Sequence, residues 1–194
     1  MIDIRIVFDF DNTLCDSSSA IISLYNLKYG KKVPNYLDVS WDFEELPLIT
    51  REDINSFFCS KEFFELLQPN KGMQELVNYL CDIGHDVKIV SYSHDGAEQY
   101  KIDYIKKHFP KVKCKILTHG KDMILDKRSV ITKDVDICID DSVEALELSD
   151  AKIKILFGYT KYNRNSDSFV RAMNAEELKE IICNWNIMRN LGVF

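Results

Sequence analysis

The spacing of hydrophobic residues changes several times along the chain, and each change marks a predicted element. Ile4, Ile6 and Phe8 alternate with other residues while Val7 adds bulk on the opposite side, which predicts a short strand buried on both faces. After Gly72, segments with helical spacing alternate with short apolar runs as far as the last predicted helix. These runs predict further strands at 87–91, 112–117, 136–140 and 153–157.

This alternation of strands and helices predicts the fold class. Helical spacing covers residues 73–83, 95–108, 122–130 and the stretch after 142, and Asn174 caps a last helix. Strands that alternate with helices of this size form βαβ units around a parallel sheet. Right-handed crossovers then place helices on both faces. We therefore expect an α/β protein with a Rossmann-like, three-layer parallel sheet.

Residues 16–69 interrupt the alternation. They contain helical patterns and many aromatic residues, and they are too long for an ordinary connection between a strand and a helix. Thr50 and Asp53 have the spacing of a capping box, and Ser60 is placed to cap a further helix. We predict a core made of residues 1–15 and 70–194, with a small helical cap at 16–69 inserted after the first strand. The cap either adds only packing or forms a lid over a site.

Polar side chains follow four of the predicted strands. They are Asp9 with Asp11, Ser91, Lys121, and Asp140 with Asp141. Parallel strands end at one edge of the sheet, where open α/β proteins bind ligands, so we expect these side chains to converge. Two aspartates beside a buried strand end are costly unless a cation compensates them, and a divalent ion suits carboxylate ligands. One aspartate could stay ionised to attack or to hold metal, while the other exchanges a proton.

Composition narrows the choice of partners and compartment. The net charge of −6 argues against a nucleic-acid polymer or an anionic membrane surface as the main partner. The six cysteines are scattered singly without a Cys-x-x-Cys pair, which argues against a zinc site and suits a reducing compartment. Neither a signal peptide nor a membrane-spanning apolar run is evident, so we expect a cytoplasmic protein. The oligomeric state is left open.

The strand-end residues resemble a known set of motifs. Asp9-Phe10-Asp11-Asn12-Thr13 is similar to the first signature, Asp-x-Asp-x-Thr, of the haloacid dehalogenase-like (HAD) hydrolase superfamily, most of whose members are magnesium-dependent phosphatases. Ser91, Lys121 and Asp140-Asp141 resemble its second, third and fourth motifs. Four segments resemble the cytosolic-type 5'(3')-deoxyribonucleotidases, namely 63–73, 116–121, 139–141 and 156–164, the last of which contains Tyr162-Asn163.

The resemblance implies a role for each residue in phosphoryl transfer. Asp9 would be the nucleophile that forms an aspartyl-phosphate, and Asp11 would be the general acid and base. Ser91, with Tyr92, would bind the phosphoryl group, and Lys121 would neutralise it. Two other lysines of the same segment, Lys127 and Lys133, are alternatives for this role. The implied Mg²⁺ ligands are Asp9, Asp141 directly, Asp140 from the outer shell, and Asp11 through its backbone carbonyl.

The implied substrate is a small phosphorylated molecule, most similar to a nucleoside monophosphate. Four aromatic residues of the cap could stack on a base or simply form its core: Trp41, Phe43, Phe57 and Phe58. The alternatives are a phosphatase or phosphotransferase acting on another small phosphorylated metabolite, a receiver-like module that binds phosphate and metal without catalysis, and a degenerate binding module.

Overall fold

A computed structural model describes residues 3–118 and 127–191 of the chain. Its centre is a six-stranded, all-parallel sheet with the strand order β3-β2-β1-β4-β5-β6. The strands are β1 (Arg5–Phe8), β2 (Asp86–Ser93), β3 (Lys113–Thr118), β4 (Ile137–Asp140), β5 (Ile153–Phe157) and β6 (Val170–Ala172). The predicted Rossmann-like parallel sheet is therefore confirmed.

Eight helices accompany the sheet in the described part of the chain. They are α1 (Ser17–Tyr29), α2 (Arg51–Phe58), α3 (Lys61–Leu66), α4 (Met73–Asp82), α5 (Glu98–His108), α6 (Lys127–Val130), α7 (Val143–Leu148) and α8 (Ala175–Asn190). The predicted capping residues Thr50, Ser60 and Asn174 each accept a backbone N–H at the start of α2, α3 and α8. No described helix is both long and apolar enough to cross a bilayer.

The first strand lies in the middle of the sheet and is packed on both faces, as its pattern predicts. Ile4, Ile6 and Phe8 belong to the larger core cluster, which also contains residues of α1, α4, α5 and α8. Val7 lies in a second cluster on the other face, which includes Leu146 of α7. Burial on both faces fixes this strand, so the residue that follows it is held at the carboxyl edge.

Helices α1 to α3 form the cap that follows the first strand. The chain enters and leaves this cap at one place, because the Asp16 N–H donates to the Gln68 carbonyl at 2.9 Å and the Asn70 N–H donates to the Leu14 carbonyl at 2.8 Å. Residues 31–50, for which the sequence predicts no element, form turns and irregular backbone. A helical cap inserted after the first strand is thus confirmed, while its exact domain boundaries stay a prediction.

Some details of the core differ from expectation. The sequence does not predict strand β6, because the alternation of Val170, Arg171 and Ala172 is too short to indicate a strand by itself. Strand β2 continues to Ser93, so Ser91 lies inside the strand and not at its end. The helical spacing of residues 95–108 predicts that Tyr100 points inward, but Tyr100 is 41% exposed and its neighbour Lys101 is buried instead. Of the predicted helix 122–130, Lys127–Val130 is helical and residues 122–126 lie outside the described residues.

A buried carboxylate ties two helices of the cap together. Asp53 of α2 accepts hydrogen bonds from Lys28 and Tyr29 of α1 and from the backbone of Thr50. These hydrogen bonds, with that from Lys28 the largest cause, lower the pKa of Asp53 well below its ordinary value of 3.8. The ionised carboxylate therefore stabilises the folded cap above that value, and this stabilisation is lost as the pH falls through the lowered pKa.

Replacing Asp53 should make the stability of the protein depend less on pH in the acidic range. We expect Asp53→Asn to lower the midpoint of thermal unfolding at about pH 7, and the difference from wild type to shrink at about pH 3. Asp42→Asn, at an exposed position of the same cap, is the matched control. A difference that stays constant across this range would contradict the assignment.

Candidate active site

A cavity of about 390 Å³ opens at the carboxyl edge of the sheet, beneath the cap. Most of the predicted site residues line it, namely Asp9, Asp11, Ser91, Tyr92, Asp140 and Asp141. Strands β1 and β4 are neighbours with Phe8 paired to Ile139, and the Asp9 N–H donates to the Ile139 carbonyl at 2.8 Å. Asp9 and the Asp140-Asp141 pair are therefore brought together by the register of the two strands, as the sequence predicts.

Three buried carboxylates meet at this edge. Oxygen atoms of Asp9, Asp140 and Asp141 lie within 4.8 Å of one another. Burial, together with the neighbouring carboxylates, raises the pKa of Asp9 to about 7 and the pKa of Asp141 well above its usual range. Such crowding is relieved when a cation favours the ionised forms. An all-oxygen donor set of this kind fits Mg²⁺.

One ammonium group faces this cluster. Nζ of the buried Lys127 donates to Asp9 Oδ1 at 2.7 Å and to Asp140 Oδ2 at 2.5 Å. Burial would lower the pKa of Lys127, but Asp140 and Asp9 outweigh it and raise that pKa, so the side chain stays protonated. When all three carboxylates are ionised, which a bound cation would favour, one ammonium group leaves two negative charges unbalanced among the described residues, and a divalent cation would balance them.

The lysine predicted for the phosphate-binding role, Lys121, lies outside the described residues. Of the two alternatives, Lys127 contacts the acidic cluster and Lys133 is exposed. The sequence offered no way to rank Lys127 above Lys121, since both follow the third predicted strand within one segment.

Asp11 lies apart from the acidic cluster, and both of its carboxylate oxygens have partners. Ser17 Oγ, at the start of α1, donates to Asp11 Oδ1 at 2.7 Å. Lys101 Nζ, on α5, donates to Asp11 Oδ2 at 2.6 Å, and Ser91 Oγ lies 3.4 Å from the same oxygen. The two aspartates of the first motif therefore meet different environments, which suits two different roles.

Lys101 is a site residue that sequence reasoning missed. Its side chain is buried and lines the cavity. The signal was present: Lys101 is four residues after Ala97 and four before Ile105, both buried, so it occupies the inward face of α5. A lysine in the middle of an otherwise apolar face needs a buried partner, which here is Asp11.

Asp141 is held by the segment after β5 that resembled the deoxyribonucleotidases. The Tyr162 hydroxyl donates to Asp141 Oδ2, and Asn163 Nδ2 donates to the Asp141 carbonyl at 2.9 Å. The Tyr162 ring also meets Trp41 of the cap edge-on, with the ring centroids 5.7 Å apart. This segment therefore joins a carboxylate of the acidic cluster to the cap.

The four aromatic residues of the cap divide into two pairs. Phe43 and Phe57 are buried in the core cluster, as the packing interpretation predicts. Trp41 is 55% exposed and lines the cavity together with Phe58. Phe58 stacks on His94, with ring centroids 5.1 Å apart and 23° between the planes. Trp41 and Phe58 are thus the pair placed to meet a ligand.

Comparison with known proteins places the chain in a family. The model of the family described as "5' nucleotidase, deoxy (Pyrimidine), cytosolic type C protein" matches residues 2–188. The chain belongs to this family. A member of it is a HAD-like phosphatase of the nucleotidase type, which agrees with the resemblance of the four motifs.

Individual relatives of this nucleotidase-family chain are distant but cover nearly all of it. A 5'(3')-deoxyribonucleotidase of Bacillus subtilis is 25% identical over 177 residues, which is 90% of this chain and 95% of that protein. A Clostridium acetobutylicum protein described as a "predicted phosphatase" has a TM-score of 0.63 at 17% identity, covering 95% of this chain and 100% of its own. A Bacillus subtilis protein described as a HAD-hydrolase and solved bound to magnesium has a TM-score of 0.59 at 17% identity, with 93% and 99% covered.

The lysine contacts predict which ammonium group serves the site. We expect Lys127→Met to reduce phosphate release from a nucleoside monophosphate by roughly 10²-fold or more, because it removes a buried donor beside Asp9. The same steady-state rate of phosphate release is measured for Lys121→Met and for Lys133→Met and compared with that of Lys127→Met. A loss confined to Lys121→Met would assign the role to that residue instead.

Proposed function

We propose that this protein hydrolyses deoxyribonucleoside monophosphates with the help of Mg²⁺ and through an aspartyl-phosphate. The observation that carries the proposal is the pairing of Asp9 with Lys127 inside a buried acidic cluster, on the wall of a cavity that Asp11 also lines. A nucleophile, a cation and a separate acid are the parts that phosphoryl transfer requires.

In the first step, a carboxylate oxygen of Asp9 attacks the phosphorus atom and the bond to the leaving oxygen breaks. Asp11 gives its proton to that oxygen, so the nucleoside leaves as a neutral alcohol. Lys127 already donates to Asp9 and Asp140, and its third N–H is available for a phosphoryl oxygen. Ser91 supplies a hydroxyl for another phosphoryl oxygen.

In the second step, a water molecule attacks the phosphorus atom of the aspartyl-phosphate. Asp11, now ionised, takes a proton from the water, and the bond between phosphorus and Asp9 breaks to release inorganic phosphate. Asp9 and Asp11 then regain their starting protonation states. The cap covers the cavity and limits the entry of other water molecules.

The metal would be held by the residues that form the acidic cluster. Asp9, Asp141 and the backbone carbonyl of Asp11 would be ligands, while Asp140 is already engaged by Lys127 and by the Ser142 N–H at 2.9 Å. Bound Mg²⁺ would supply positive charge for the phosphoryl oxygens and for the nucleophile. The magnesium-bound HAD-hydrolase of similar fold supports this choice of ion.

The choice of a nucleotide rests on the cavity wall and on the named relative. Trp41 and Phe58 present aromatic surface to the cavity, and stacking on a base needs such a surface. The Bacillus subtilis relative is a 5'(3')-deoxyribonucleotidase. Both observations favour a nucleoside monophosphate over a sugar phosphate without a base.

Loss of the nucleophile should abolish turnover. We expect Asp9→Asn to release no phosphate from a deoxyribonucleoside monophosphate in the presence of Mg²⁺, while its thermal unfolding shows a folded protein. Wild-type activity should stop with EDTA and return with added Mg²⁺. Labelled phosphate should remain on acid-quenched wild-type protein and be freed by hydroxylamine. Retained activity in Asp9→Asn would reject the covalent role.

Loss of the aromatic surface should affect only substrates with a base. Stacking contributes about 1–3 kcal/mol per base, so Trp41→Ala and Phe58→Ala should each lower kcat/KM for a deoxyribonucleoside monophosphate by roughly tenfold. The value for deoxyribose 5-phosphate should stay unchanged. Tyr36→Ala, at an aromatic residue of the cap that is 89% exposed, is the control. Equal losses on both substrates would show that the pair only supports the cap.

A further inference from the structure

A second lysine is buried in the wall of the cavity, and neither step of the proposed reaction uses it. Lys101 is the fourth residue of α5, and 4% of its surface is exposed. Burial of an ammonium group is costly unless hydrogen-bonding partners and an opposite charge compensate it. Its place beside Asp11 and Ser91, and not beside the acidic cluster, separates it from Lys127.

The hydrogen bonds of Lys101 account for all of its donors. Nζ donates to Asp11 Oδ2 at 2.6 Å, to the Tyr92 carbonyl at 2.6 Å and to Ser91 Oγ at 3.2 Å. An ammonium group has three N–H donors, so none is left for a phosphoryl oxygen. Lys101 can therefore act on the reaction only through the groups that it holds.

Two of those groups are the proposed acid and the proposed phosphoryl-binding hydroxyl. The contact with Asp11 Oδ2 fixes one end of a carboxyl group whose other end accepts from Ser17 at 2.7 Å. The contact with Ser91 Oγ makes the hydroxyl an acceptor on that side, while the hydroxyl itself donates to the Tyr92 carbonyl at 3.1 Å and lies 3.4 Å from Asp11 Oδ2. As Asp11 gives up its proton, negative charge develops next to a fixed ammonium group.

We propose that Lys101 is a positioning residue that aims Asp11 at the leaving oxygen. The proton moves from Asp11 to the leaving oxygen as the bond between that oxygen and phosphorus breaks. This inference rests on the proposed function. It adds that acid catalysis in this site depends on a lysine that never touches the substrate.

Leaving groups that differ in their need for a proton provide the test. A nucleoside leaves as an alkoxide and needs the proton of Asp11, whereas p-nitrophenolate is stable without one. We expect Lys101→Met to lower kcat for a deoxyribonucleoside monophosphate by about 10²- to 10⁴-fold and kcat for p-nitrophenyl phosphate by less than about tenfold. KM should change little, because no donor to the substrate is removed.

Comparison variants separate positioning from general damage. Asp11→Asn should show the same dependence on the leaving group. The variant that carries both substitutions should have a kcat no lower than that of the less active single variant, because the two residues act as one unit. Lys106→Met, at an exposed lysine of the same helix, should behave as wild type on both substrates. If Lys101→Met does not fold, Lys101→Gln keeps an N–H donor without the charge and should show the same pattern with a smaller loss.

The outcomes distinguish this inference from the proposed function. Equal losses on the two substrates, or no loss on either, would overturn the role of Lys101 while the phosphatase assignment stands. Wild-type protein that releases phosphate from neither substrate with Mg²⁺ would overturn both. A loss on the nucleotide alone, shared with Asp11→Asn, supports the positioning role.

Discussion

The repulsion between buried carboxylates is the constraint on which this structure depends. The carboxylates that end β1 and β4 are brought within 4.8 Å of one another by neighbouring strands whose register is fixed by the sheet. Their burial weakens the screening by water, so positive charge from side chains or from a bound ion must offset their repulsion. Lys127 forms ion pairs with Asp9 and Asp140, and Lys101 forms a separate ion pair with Asp11.

The cap and the charged centre are joined by one short loop. Tyr162 contacts Asp141 through its hydroxyl, Asn12 through the same oxygen at 3.1 Å, and Trp41 through its ring. The backbone N–H of Lys161 donates to Asp38 of the cap at 2.7 Å, and its side chain pairs with Glu45. A shift of the cap would therefore reach a carboxylate of the acidic cluster directly, without passing through the substrate.

The sequence predicts the sheet and the charged strand ends because both follow from short-range rules. An aspartate that directly follows an apolar strand lies at the carboxyl edge of a parallel sheet. The pattern of residues alone therefore groups Asp9, Asp140 and Asp141. The inward position of Lys101 could be predicted from the helical spacing, but its partner could not, because Lys101 lies within a helix and not at a strand end. The contact between Tyr162 and Asp141 likewise depends on a loop whose path no local pattern encodes. Helical periodicity also failed at Tyr100, because an aromatic side chain at the margin of a buried face can turn toward solvent.

The central place of β1 has a consequence for how the molecule is made. This strand leaves the ribosome before the other five, yet Arg5 pairs with Asp86 and Ile6 pairs with Ile137. Both pairings close long loops, which makes them slow and entropically costly to form. The nascent chain must therefore keep an apolar strand without its neighbours until β2 and then β4 have been synthesised. The charged centre is assembled only when β4 has emerged as well.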